Sequence, residues 1–253
     1  MTLLDVKKLV ITYPIAGKAP FVAVKGISFS VAENEFFGIV GESGCGKSTV
    51  AHALCGLLPI ASGSAHFAPL PKGAVQMIFQ DATGSLNPRK TIRATLAEVL
   101  SVHHLCPLTE IAARITALLE EVGLPPEVAL AYPRELSGGQ CQRISIARAL
   151  AMNPRVLIAD EPVSALDVSV QARVLNLLAD VRLRRNLTIL LISHDLAVVR
   201  TVCDRLMVMH AGEIVEQGDA RELFAHPRHT YTQQLLAAVP DVSAAFIAKG
   251  FVQ

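Results

Sequence analysis

The stretch GESGCGKST at residues 41–49 constrains this chain more than any other part of it. Gly41, Gly44 and Gly46 crowd into so few positions that neither a helix nor a strand can run through them, so they mark a turn. Ahead of the turn, Phe36 to Val40 is a short unbroken apolar run, the pattern of a buried strand. Behind it, Val50 to Leu58 has helical spacing and stops at Pro59. A strand, a glycine loop and a helix are the context in which G-x-x-x-x-G-K-[ST] holds phosphate. The glycines let backbone N–H groups turn inward around an anion, and the helix adds the positive end of its dipole. Lys47 reaches the terminal phosphates, and the Ser48 hydroxyl can ligate magnesium. Glu42, Ser43, Cys45 and Thr49 complete the segment expected to line a nucleoside triphosphate. An ordinary glycine-rich turn ahead of a core helix is the competing reading, and it leaves the agreement of strand, loop and helix with one motif unexplained.

The remaining chain repeats that texture. Val156–Ala159, Ile189–Ile192 and Leu206–Met209 read as buried strands, and Val168–Val181 and Leu196–Cys203 between them as helices. This alternation predicts an α/β fold around a mainly parallel sheet covered on both faces. Leu3–Thr12 and Ala23–Val31 read as an N-terminal antiparallel pair, and Ala211-Gly212 as the turn of a closing hairpin. From Thr91 to Met152 no strand is evident. Glu110–Val122 places Ile111, Ile115, Leu118, Leu119 and Val122 on one helical face with Gly123 as its cap, which predicts an inserted helical lobe.

Composition excludes several classes. The 23 basic and 22 acidic residues leave a net charge of +1, too little to drive nucleic-acid binding by counterion release. Mean hydropathy is +0.43, yet no apolar run approaches the roughly 20 residues of a spanning helix. The five cysteines include no CxxC pair, so free thiols are expected rather than disulfides or structural zinc. The N-terminus lacks a secretory pattern, and a cytosolic chain follows.

Two further motifs carry chemistry. The Val156–Ala159 strand ends in Asp160-Glu161-Pro162, which puts two carboxylates at the carboxyl edge of the sheet, where ligands of open α/β sheets bind. Asp160 is expected to hold magnesium and Glu161 to polarise the attacking water. Leu136 to Gln140 reads LSGGQ and opens a helix running to Ala151. Ser137 and Gln140 have capping-box spacing, and Ser137 with the N–H groups of Gly138 and Gly139 forms a second helix-start anion site.

Taken together, these motifs resemble those of the ATP-binding cassette (ABC) ATPases, from Leu3 to Pro240. The resemblance implies one cassette over residues 1–253: a P-loop core with an N-terminal β-subdomain (1–90 and 153–225), a signature-bearing helical lobe (91–152) and a C-terminal tail (226–253). It implies ATP and Mg²⁺, with Ser48, Gln80 and Asp160 around the metal. Gln80 resembles the Q-loop glutamine, His194 the switch histidine, Ser164-Ala165-Leu166-Asp167 the D-loop, and Tyr13 the aromatic that stacks on adenine. With Lys47 and Glu161, Gln80 and His194 make up the expected catalytic set. The second anion site then faces the ATP of another cassette, a copy or a paralogue, in a head-to-tail dimer.

Ser85-Leu86-Asn87-Pro88-Arg89, EPVSALDVSVQARVLNLL at 161–178 and His226-Pro227-Arg228-His229-Thr230-Tyr231-Thr232 resemble the peptide/nickel branch of ABC importers. The resemblance then implies two transmembrane permease subunits, an extracytoplasmic solute-binding protein acting indirectly, no nucleic acid, and a peripheral place on the cytoplasmic face of a bacterial inner membrane. The cargo class is nickel, a metal chelate or short peptides. The short tail and the compact Gly63–Ala74 segment resemble the metal-importing members more, and no iron–sulfur cluster is expected. A soluble ABC ATPase acting on ribosomes or DNA is the alternative, but such proteins generally fuse two cassettes or carry long coiled-coil insertions. Cys45, inside the loop, and Cys141, where the family usually has a long polar residue, read as harmless substitutions; the sharper alternative is that Cys45 makes the ATPase sensitive to thiol alkylation that nucleotide would block.

Overall fold

A computed structural model describes residues 1–237 of the 253-residue chain. In chain order it forms β1 (Thr2–Tyr13), β2 (Phe21–Ala32), β3 (Phe36–Val40), α1 (Lys47–Leu54), β4 (Ser62–Phe67), β5 (Val75–Ile78), α2 (Ile92–Val102) and α3 (Ile111–Glu121). These are followed by α4 (Gly138–Ala151), β6 (Val156–Asp160), α5 (Val168–Arg185), β7 (Thr188–Ser193) and α6 (Leu196–Val202). The last elements are β8 (Arg205–His210), β9 (Glu213–Asp219), α7 (Ala220–Ala225) and α8 (Thr230–Ala237). The described residues fall into two compact units, one made of Met1–Leu70 with Asn186–Ala237, the other of Pro71–Arg185.

In the first unit β3 pairs in parallel with β7 on one side and β8 on the other. Every residue of β3 and β7 is buried, which is why both read as unbroken apolar runs rather than as alternating ones. A Cβ on Gly38 would lie 2.7 Å from Val199 Cγ1, so the missing side chain lets α6 pack directly on the strand. The closing hairpin forms as expected: β9 runs antiparallel to β8, and Ala211 and Gly212 take left-handed φ of 47° and 87°. The N-terminal antiparallel pair also forms and gains β4 on the far side of β1. SGSAHF has no apolar alternation to announce a strand, and its pairing with β1 makes it one.

The first helix differs from its expected span of Val50–Leu58, beginning at Lys47 and ending at Leu54. Gly46 starts it, and Gly56 stops it in a left-handed conformation, with Gly56 N–H on the Ala53 carbonyl and Leu57 N–H on the His52 carbonyl. That pair of bonds is a Schellman stop, which ends a helix whatever apolar residues follow.

In the second unit β5 and β6 pair in parallel, with Ile78 opposite Ala159. Residues 91–152 contain no strand, and α2, α3 and α4 bury Leu96, Leu100, Leu118, Leu119 and Ile144. Gly123 stops α3 as expected, by the same double bond pattern. The next long helix, α5, runs beyond Val181 to Arg185. There the guanidinium pairs with Glu121 and donates to the Leu150 carbonyl at 2.9 Å, tying the ends of three helices.

The tail belongs to the first unit. Glu216 on β9 accepts hydrogen bonds from the Arg228 and His229 N–H groups, at 2.9 and 3.1 Å, just ahead of α8. Pro240 and the segment 241–253 lie outside the described residues. Burial works against the charge on Glu216, but the nearby Thr232 hydroxyl and the bonds from the Arg228 and His229 N–H groups outweigh it and hold the carboxyl below its ordinary range. A depressed carboxyl contributes stability that is complete above its ordinary value of 4.5 and is lost as pH falls through the lower folded value. At pH 7 the parent is expected to melt about 2–4 °C above Glu216→Gln, as loss of about 1 kcal/mol implies. The gap should close well below pH 4.5 in melting curves; a gap that persists there would contradict this assignment.

Candidate functional site

The phosphate loop leaves the end of β3 and is held in shape by close backbone contacts. A Cβ at Gly41, where φ is 152°, would lie 2.2 Å from the Met209 carbonyl oxygen. One at Gly46, where φ is 106°, would lie 2.8 Å from that of Ala23. The Cys45 carbonyl accepts from Gly212 N–H at 3.1 Å, so the β8–β9 turn braces the loop. Lys47 is 4% exposed, and its Nζ donates to the carbonyls of Gly41 at 2.7 Å and Glu42 at 2.8 Å. Burying an ammonium costs several kcal/mol, and hydrogen bonds to a charged group return about 1.5–3 kcal/mol each. The lysine is thus held ready inside the loop rather than lying on the surface.

Other expected residues of this unit lie nearby. Tyr13, at the end of β1, is half exposed, and its hydroxyl lies 3.2 Å from Thr49 Oγ1 on α1. Val40 pairs with Ser193, so Gly41 and His194 leave the sheet side by side at one edge. Asp195 caps α6 by accepting from Ala197 N–H at 2.8 Å, which fixes the turn that carries His194.

The second unit brings together Gln80, Asp160 and Glu161. Ile78 pairs with Ala159, so Gln80 and Glu161, each two residues further on, meet beyond the strand ends. Gln80 Nε2 donates to Glu161 Oε2 at 3.1 Å. Asp160 is buried at the last position of β6. Glu161 has φ of 45°, a left-handed conformation that costs a non-glycine residue on the order of 1 kcal/mol and is characteristic of functional turns. Nothing in the local sequence announces it.

LSGGQ opens α4 as a capping box. Ser137 Oγ accepts from Gln140 N–H at 3.3 Å, and Gln140 Oε1 accepts from Ser137 N–H at 2.9 Å. The N–H groups of Gly138 and Gly139, in the first turn, have no acceptor within the helix. A Cβ on Gly139 would lie 2.4 Å from Val170 Cγ1, so this glycine lets the start of α4 approach the start of α5. Within Ser164–Asp167, Ser164 Oγ donates to the Glu161 carbonyl at 3.2 Å. Asp167 accepts from the Ser169 hydroxyl and from the N–H groups of Ser169 and Val170. The Ser169 hydroxyl, followed by the Val170 N–H, lowers its carboxyl below the ordinary range. Sequence reasoning missed two further contacts: Arg148, whose guanidinium donates to the Ser85 carbonyl at 2.7 Å, and Tyr231, whose hydroxyl accepts from Glu42 N–H at 3.2 Å. Both partners are distant in sequence, so no local spacing could have announced them.

A strand-loop-helix phosphate cradle, a strand-end carboxylate pair and a glycine-started capped helix in one chain define a P-loop nucleoside triphosphatase of the cassette type. Residues 24–164 match the model of the ABC transporter family, and the chain belongs to that family, whose ATP-binding proteins are ATPases coupled to transport. It is 48% identical over 231 residues to the oligopeptide transport ATP-binding protein AppF of Bacillus subtilis, covering 86% of this chain and 70% of that one. Against OppF of Escherichia coli, named for the same role, identity is 46% with coverages of 86% and 69%. Against the glutathione import ATP-binding protein GsiA of Escherichia coli it is 49%, over 86% of this chain and 37% of the relative. Among solved structures, CbiO1 of Clostridium perfringens, part of the CbiONQ transporter complex, superposes with a TM-score of 0.78 at 26% identity, covering 97% and 99% of the two chains. The cassette MJ0796, a dimer bound to ADP and Pi, gives 0.76 at 27% identity, covering 87% and 99%.

Of the two readings of Cys45, the geometry favours the harmless substitution. Cys45 is buried, and burial raises its thiol pKa despite the nearby Lys47 ammonium, so it is a poor target for alkylation. Cys141 is buried as well, and burial raises its thiol too. In timed alkylation near neutral pH read by peptide mass spectrometry, half-buried Cys55 and Cys106 should label well before Cys45 and Cys141. Early labelling of Cys45 would contradict its placement.

Proposed function

We propose that this chain is the energy-coupling ATPase of an importer. ATP sits on the phosphate loop of one cassette, and the LSGGQ helix start of a second cassette closes on it head to tail. One observation carries the reading: the chain has two glycine-bearing helix starts of the kind that suit anions, at Gly46-Lys47 and at Ser137-Gly138-Gly139, and only the first has the lysine that a triphosphate needs. The second suits a nucleotide held by a partner.

In this reading Lys47 exchanges its loop carbonyls for the β- and γ-phosphate oxygens, and Tyr13 stacks on the adenine. Ser48, Gln80 and Asp160 supply only oxygen donors to a metal, the set that a hard dication such as Mg²⁺ takes. Bound there, Mg²⁺ would neutralise charge on the phosphates. Glu161 accepts the proton of a water that attacks the γ-phosphorus; the bond to the β–γ bridging oxygen breaks, and ADP and phosphate leave. His194 orients the γ-phosphate, and Ser164–Asp167 lies at the cassette-cassette contact. Most of the rate comes from positioning and charge neutralisation.

The chain would work at the cytoplasmic face of a membrane with two permease subunits. No helix among the described residues is long and apolar enough to cross a membrane, so the path for cargo would belong to those partners. The names of the relatives favour short peptides over nickel or a metal chelate as cargo. Uptake of a labelled peptide that is lost with this chain while nickel uptake persists would support that choice, and the opposite pattern would reverse it.

The central test is Glu161→Gln. ATP affinity should stay within about two-fold of the parent while hydrolysis falls about 10²- to 10⁴-fold. With ATP the variant should accumulate as a dimer in light scattering. Near-parental turnover would remove Glu161 from its role.

A further inference from the structure

The Gly41–Glu42 peptide of the phosphate loop is gripped from both ends. Its carbonyl accepts from Lys47 Nζ at 2.7 Å, and its N–H donates to Tyr231 Oη at 3.2 Å. The lysine is part of the loop, but Tyr231 lies on α8, in the tail. We propose that Tyr231 is a positioning residue for nucleotide binding: its hydroxyl fixes the plane of the Gly41–Glu42 peptide, and so sets how the loop presents its N–H groups to the triphosphate. This rests on the reading of the loop as the ATP site.

The tyrosine is itself firmly placed. It is 9% exposed, and its ring lies against that of His210 with centroids 4.0 Å apart. Its own N–H donates to His229 Nδ1 at 3.1 Å, and Glu216 holds the Arg228 and His229 N–H groups at the start of the same segment. His210 ends β8, directly before the turn whose Gly212 N–H bonds the Cys45 carbonyl. Tail and hairpin therefore grip the loop at Glu42 and at Cys45, on either side of Ser43 and Gly44. The two exposed residues between them keep their backbone free for phosphate.

Removing the hydroxyl leaves the Glu42 N–H without this acceptor and lets the peptide rotate, which loosens the loop at that point. The loop must then be ordered when ATP binds, so the cost falls on affinity. Once ATP is bound, the phosphates order the loop, and hydrolysis through Glu161 proceeds as before. Phenylalanine at 231 keeps the ring against His210 and with it the tail packing.

The test uses the full chain and compares the parent, Tyr231→Phe and Lys47→Ala for ATP affinity by calorimetry, for kcat and KM, and for melting temperature. Tyr231→Phe is expected to raise both Kd and KM for ATP about three- to ten-fold, the effect of one lost hydrogen bond. Its kcat should stay within about two-fold of the parent, since no bond to the transition state is removed. Parental Kd and KM in Tyr231→Phe would overturn the proposal, and so would a lowered melting temperature with KM unchanged, because the tyrosine would then only hold the tail. Lys47→Ala separates the two layers of the argument. If it loses ATP binding while Tyr231→Phe does not, the positioning role alone fails; if it binds ATP like the parent, the loop is not the ATP site and both readings fall.

Discussion

A buried ammonium with only its own loop for company is the constraint on which this molecule turns. Lys47 is almost wholly buried, and its partners, the carbonyls of Gly41 and Glu42 and the Cys45 sulfur, all lie in its own loop. Two carbonyls and, at 3.9 Å, the Cys45 sulfur take its donors, and these partners are neutral, so the loop suits an anion. The surrounding architecture serves that arrangement. Parallel strands end at one edge of the sheet, glycines pass where a Cβ would strike backbone oxygen, and a helix begins at Gly46.

The second unit solves a related problem with different parts. A parallel register carries Gln80 and Glu161 to the same edge, and the left-handed turn at Glu161 lets the carboxylate meet the amide. Strain of that kind persists only when the surroundings over-determine it. Here the Glu161 carbonyl accepts from the Ser164 side chain and backbone, and Asp167 gathers three donors at the start of α5. Gly139 then brings the start of the signature helix against Val170 of that same helix. The LSGGQ turn, Ser164–Asp167 and the carboxylate pair are thus continuous within one unit.

Much of this was legible in the sequence because it is local. Strands β3, β6, β7 and β8 are each built on a short apolar run, and the capping box, the Gly123 stop and the Ala211-Gly212 turn are short-range chemistry. What escaped is non-local or conformational. Strand β4 exists because β1 offers it an edge, α1 stops at Gly56 although apolar residues continue, and the φ of Glu161 leaves no compositional trace. The sequence left two readings of Cys45 open, and its burial favours the harmless one. Tyr231 was visible in sequence merely as part of a branch-specific tail; its contact with Glu42 spans 189 positions.

The account makes the Lys47 ammonium the group that changes partners when nucleotide arrives. A structure of the protein with Mg²⁺ and a non-hydrolysable ATP analogue tests this directly. Lys47 Nζ should have left the carbonyls of Gly41 and Glu42 and lie within about 3 Å of β- and γ-phosphate oxygens, the length of a charge-assisted hydrogen bond. Nucleotide bound with Nζ still on those carbonyls, or bound away from residues 41–49, would contradict the account.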